Sequence, residues 1–292
     1  MQIKDMIPKL GLSNSTVGFG GCKVHQTTLD CCEYNLTVFD DLIQKDAIAT
    51  LDDQIIRIHH GKIDESSSDV LQKYESMQIL SDPQWKLRTL LTNIKEKQDK
   101  IRNACAKSCL VDAAFFATKA KQNLDDPFSA IWIKCASYLV CDGLVLLNAK
   151  PRSPTHMLGF IRKFVKNTKN VTFSGIEEIL GLERATPSLL ERMMKSTIGF
   201  SDMTENNNHG VIIQKKYEYL VANSLLSDCY FYLGYLNKNN IISIRDSIHK
   251  KPELIHVLKT ALDLEHDPTK LEQQAMLLHK TANNLIHLQN YA

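Results

Sequence analysis

The apolar positions of the chain change rhythm once, near residue 84. Before that point they fall in short runs: Val17 to Phe19, then Leu36, Val38 and Phe39, then Gln54 to His59 with β-branched Ile at 55, 56 and 58. Short β-branched and aromatic runs bounded by polar turns predict strands. Around them the pattern predicts an opening helix over 5–12 with Pro8 in its first turn, and a helix over 42–51 capped by Asp40 and Asp41. A polar turn over 60–69, a helix over 70–76 and a brief strand over 78–80 complete this part. Beyond Ser81-Asp82-Pro83 the spacing becomes helical, with Leu87, Leu90, Leu91, Ile94, Ile101, Cys105, Leu110 and Phe115 in register. Nothing between Trp85 and Lys121 breaks it, so one very long helix or two nearly continuous ones are expected.

Asp125-Asp126-Pro127 opens the next helix, with an aspartate cap and Pro at the first helical position. That helix is expected from Phe128 to Asn148, ended by Lys150-Pro-Arg-Ser-Pro154. Further helices are expected over 155–167, 175–182, 187–194, 211–236, 241–249, 252–264 and 268–288. No internal repeat is visible. The expected fold class is α+β: a small mixed-sheet α/β domain over 1–84, then an all-α helical bundle domain over 85–292.

Composition sharpens this in three ways. At 292 residues and 43% hydrophobic, the chain can build substantial cores, which excludes wholesale disorder. No stretch reaches the roughly 20 uninterrupted apolar residues of a membrane span. The longest candidate, Ile133 to Leu147, is broken by Lys134 and Asp142. The N-terminal residues lack the apolar core of a signal peptide, and the eight dispersed cysteines follow no disulfide-scaffold spacing. A cytoplasmic protein with reduced thiols and no membrane partner is therefore expected. Cys22, His25, Cys31 and Cys32 do not follow a common zinc-ligand spacing.

Charge is divided unevenly. Residues 1–84 carry 7 Lys/Arg against 13 Asp/Glu, whereas the rest carries 28 against 20. No acidic residue lies between Asp142 and Glu177, an interval holding Lys150, Arg152, Arg162, Lys163, Lys166 and Lys169. Such a stretch can meet phosphates or an RNA backbone.

The candidate chemistry sits in the first part, in GFGGCKVHQTTLDCCEYNLTVF, residues 18–39. A double glycine, Gly20-Gly21, can bring bare backbone N–H groups against a phosphate. Glu33 and Asn35 open the following strand and, being two apart, share a face. Oxygen ligands there are the type that binds magnesium. The order of glycine pair, about ten residues, then paired acids opening an apolar strand resembles the nucleotidyltransferase superfamily of DNA polymerase β and kanamycin nucleotidyltransferase. MQILSDPQWKLRTLL is similar to the close of the catalytic domain in small members, and YLVCDGLVLLNAKPRSPTHMLGFIR to their helical partner domain.

The resemblance implies a nucleoside triphosphate and Mg²⁺ held by Gly20, Gly21, Lys23, Glu33 and Asn35. Lys150, Arg152 and His156 would face them from the helical domain and contact an RNA or protein acceptor. This chain departs from the pattern in its acids: Asp-x-Asp becomes Glu33-x-Asn35, and the third carboxylate has no counterpart in QIIRIH, where Arg57 and His59 stand instead. Three functions follow as expectations: a metal-dependent nucleotidyltransferase, a nucleotide- or protein-binding pseudoenzyme on the same scaffold, or a helical interaction module. The helix from Trp85 would offer a homodimer surface.

Overall fold

The computed structural model describes residues 3–24, 28–42, 46–204 and 209–290. The fold is α+β, and the chain forms two compact units, Met1–Arg102 and Asn103–Ala292.

The first unit is built on a five-stranded mixed sheet. Its strands are β1 (Val17–Gly20), β2 (Tyr34–Phe39), β3 (Ala47–Leu51), β4 (Gln54–Gly61) and β5 (Gln78–Ser81), in the order β3-β4-β2-β1-β5. β2 runs parallel to β4, and the other pairings are antiparallel. The period of two divides the side chains cleanly. One face carries Val17, Phe19, Leu36, Val38 and Ile56, which bury Met6 and Ile7 of α1 (Met6–Lys9). The other carries Asn35, Thr37, Arg57 and His59 near the start of β2. At its far end Phe39 packs with Tyr74 of α2 (Ser68–Tyr74), Met77, and Leu87, Leu90 and Ile94 of α3 (Lys86–Glu96).

The expected helix over 42–51 is not formed. Residues 43–45 lie outside the described residues, and 47–51 form strand β3. Asp52 and Asp53 both take positive φ, 48° and 61°, and join β3 to β4 as a two-residue hairpin turn. Aspartate tolerates that region, and the turn's twist matches the strands. Asp40, expected to cap that helix, instead accepts a hydrogen bond from Leu42 N and pairs with His60 Nδ1 at 2.8 Å. His59 lies within β4 as expected, and β4 runs on through His60 and Gly61, where the sequence predicts the start of a polar turn.

The long helical stretch resolves into α3 and α4 (Gln98–Gln122), separated at Lys97. The second unit centres on α5 (Ser129–Leu147), apolar on every side and buried from Ser129 to Leu146. Among the described residues it alone is long and apolar enough to cross a membrane, but 94% of that window is buried within the protein. A helix apolar all round belongs at the centre of a bundle. Trp132 of α5 stacks on Phe116 of α4, centroids 5.2 Å apart, and Lys119 Nζ caps the ring at 3.9 Å.

Around α5 lie α6 (Met157–Ile161), α7 (Phe173–Leu180), α10 (Leu226–Ser243) and α12 (Pro268–Asn290), and α10 in turn packs on α8 (Pro187–Met203), α9 (Gly210–Ala222) and α11 (Leu254–Ala261). The expected helix over 211–236 breaks at Ser224, whose φ is 57°. That over 155–167 shortens to Met157–Ile161, and that over 187–194 extends to Met203.

Candidate functional site

The site of the first unit grows from one turn and two strand ends. β1 ends at Gly20, whose register partner on β2 is Asn35. Gly21 then takes φ +75°, and Cys22–Val24 form a short 3-10 turn closed by Val24 N donating to Gly21 O. A Cβ on Gly21 would lie 2.6 Å from Asn35 Nδ2 and 3.1 Å from its Cγ. Both the backbone and the packing therefore demand glycine. Gly21→Ala is expected to lower stability by about 1–2 kcal/mol from the left-handed backbone alone and to displace the Asn35 amide. A fall in the melting temperature of the first unit checks it.

Glu33, just before β2, is 7% exposed. Asn35 Nδ2 lies 3.4 Å from the Glu33 carbonyl and 3.5 Å from Glu33 Oε1. On the other side Asn35 Oδ1 is 3.2 Å from His59 Nε2. Glu33 offers only acceptors here, so the amide nitrogen turns to it and the amide oxygen turns to His59. His59 Nδ1 in turn is 2.9 Å from Asp46 Oδ1. The imidazole thus bridges the Asp46 carboxylate and the Asn35 amide oxygen. Asp46 also receives Arg57, through Nε at 2.8 Å and Nη2 at 2.5 Å. The result is a connected row, Asp46–His59–Asn35–Glu33, with Arg57 braced against its acidic end.

Burial alone would raise the Asp46 carboxyl. The bond from His59 and the charges of Arg57 and His59 outweigh it and hold that carboxyl well below the usual range. Asp46 is the residue that sequence reasoning missed, because it was assigned to a helix.

Gly20, Gly21, Glu33 and Asn35 are thus brought together. Lys23 Nζ lies over the Tyr34 ring, 4.2 Å from its centroid. Tyr34 alternates with Glu33 and Asn35 along the chain, so Lys23 leans toward the opposite face. His25 lies outside the described residues. Compared with protein-family models and with curated proteins, the chain matches none.

The remaining candidates belong to the second unit, at the turn after α5. Lys150 is exposed, and Arg152 and His156 are half-buried. Arg152 Nη1 lies 3.9 Å from Cys109 Sγ, and the His156 ring sits 6.2 Å from that of Phe160. Of the six cations in the acid-free interval, Arg162 is engaged by Asp228 at 2.7 Å.

Proposed function

We propose that the first unit is a nucleotidyltransferase-like body that binds a nucleoside triphosphate without a divalent metal and does not transfer it. The carrying observation is the state of Asn35. Its single side-chain oxygen is engaged by His59, and its amide N–H groups face the Glu33 carboxylate. Mg²⁺ demands near-ideal octahedral oxygen ligation, and this pair offers a hydrogen-bond donor where a second anionic oxygen would be needed. Arg57, the register partner of Asn35 on β4, adds positive charge beside the same position. This donor set does not fit the metal, and no chemical step is derived through one.

Support for the nucleotide comes from the left-handed turn at the exposed Gly21, which follows Gly20, the register partner of Asn35. Backbone N–H groups in such a turn suit an anion. The cytoplasm completes the reading, supported by eight cysteines that are all free thiols.

The test is a melting-temperature series with each of the four ribonucleoside triphosphates, in Mg²⁺ and in EDTA. A ligand at 100 times its dissociation constant stabilises by about 2.7 kcal/mol. One triphosphate is expected to raise the melting temperature equally in both buffers. Stabilisation that needs Mg²⁺ and disappears in Glu33→Gln would restore the transferase reading. No shift with any triphosphate would leave the helical interaction module. Asn35→Asp is expected to introduce a Mg²⁺ dependence absent from the natural protein.

A further inference from the structure

The second unit holds a cavity of about 120 Å³ whose chemistry the nucleotide reading does not use. Its floor is buried and mostly apolar, with Ala130, Ile133 and Ile179, and one polar group reaches it: Lys134 of α5, 6% exposed. Its rim is exposed and charged, with Glu178, Glu183, Glu265 and Asp267 against Arg184 and Lys270. The space admits several waters, or a compound of a few carbon atoms.

The amine is held in a definite pose. Lys134 Nζ donates to the carbonyl of Leu180, the last residue of α7, at 2.6 Å, and lies 3.4 Å from Tyr230 Oη. Tyr230 donates its own proton to Asp263 Oδ2 at 3.2 Å, and Arg184 Nε braces that carboxylate at 3.1 Å. The Tyr230 oxygen is therefore turned toward the lysine as an acceptor. Burial first, then the nearby Arg184 charge, push the Lys134 amine down to about 7. A neutral amine keeps its N–H bond to Leu180 O and retains a lone pair.

We infer that this cavity is a second ligand site, in which Lys134 condenses reversibly with a small carbonyl compound, preferably one bearing a positive charge. The balance is closed within the pair. The amine lone pair forms the C–N bond to the carbonyl carbon, and the carbonyl oxygen takes a proton to give a hydroxyl. That hydroxyl and the remaining amine proton then leave as water, and an imine remains. No oxidant or other reactant is required. The charge preference follows from the rim, where four carboxylates stand against two cations and repel an anionic ligand. Since this site lies wholly in the second unit, it stands or falls independently of triphosphate binding in the first.

The experiment uses the full chain with three compounds of closely similar size: aminoacetone, hydroxyacetone and pyruvate. Each is incubated with the protein at neutral pH, reduced with borohydride, and located by peptide mapping. The expected result is an adduct on Lys134, several-fold more with aminoacetone than with hydroxyacetone and least with pyruvate. Glu178→Gln with Glu183→Gln should narrow that order while Lys134 stays labelled. Adducts spread over exposed lysines with Lys134 unmodified overturn the site, and equal labelling by all three compounds overturns the charge preference. Lys134→Met should remove the label. The wild-type map decides the question even if that variant does not fold.

Discussion

Replacing Asp142 with alanine is expected to lower the stability of the second unit by about 3–5 kcal/mol, the range for removing one partner of a buried ion pair. Asp142 lies on α5 at 0% exposure. Its Oδ2 accepts from Lys238 Nζ at 2.9 Å, and its Oδ1 accepts from Tyr235 Oη at 2.6 Å. The ammonium also lies 3.8 Å from the Tyr235 ring centroid. Without the carboxylate, the Lys238 amine is left at 3% exposure with no anionic partner, and burying such a polar group unpaired is costly.

Two features make the measurement clean. The chain has two tryptophans, Trp85 in the first unit and Trp132 in the second. In a Trp85→Phe background, denaturant unfolding followed by fluorescence therefore reports the second unit. The double variant Asp142→Leu with Lys238→Met removes both charges and is expected to recover most of the loss, since apolar replacement of a buried pair is often neutral. A loss below about 1 kcal/mol for Asp142→Ala would mean that Lys238 finds water or another anion.

Asp46→Asn carries the second-largest expected effect, about 1.5–3 kcal/mol, the range for hydrogen bonds to charged groups. It would strip Arg57 and His59 of their shared carboxylate and loosen the row that ends at Glu33. The sign of the pH dependence follows from the lowered Asp46 carboxyl. A group held below its unfolded value contributes fully above that value, ~3.9 for aspartate, and loses its contribution as the pH falls through the folded one. Amide hydrogen exchange on β4 is the suitable readout. Wild-type protection should fall as the pH drops from about 4 toward about 2, whereas Asp46→Asn should begin lower and fall less. Equal slopes for the two proteins would remove Asp46 from the network.

Much of the first unit was legible before any coordinates. The strands at Val17, Leu36 and Gln54 follow from β-branched runs, which fit a pleated, half-buried surface. That Glu33 and Asn35 share a face follows from the period of two; that Gly20-Gly21 lies beside them was implied only by the resemblance, and the antiparallel return of β2 on β1 provides it. The error at 42–51 has a specific cause. Ala47 to Leu51 fits a helix or a strand equally well, and the aspartate pair at 52 and 53 was not read as a turn. Once it is, a two-residue loop sets Leu51 against Gln54 and Ala47 against Ile58. One step further brings Asp46 opposite His59. The missing acid was within reach of the sequence, through turn chemistry rather than periodicity.

Lys134 and Asp142 mark the other limit. In the sequence they are interruptions of an apolar run. In the structure they are its two anchored polar groups, bonded to partners 46 and 96 residues away. No local signal specifies such partners, because chain separation enters only through the packing of α5 against α7 and α10.

The sequence by itself determined where strands give way to helices and which short segment gathers glycine, carboxylate and amide, because backbone sterics and side-chain periodicity act over a few residues. Only the tertiary structure decided what those groups can do. Whether Asn35 offers an oxygen to a metal depends on His59 across the sheet. Whether Lys134 has a lone pair to offer depends on how completely its surroundings exclude water.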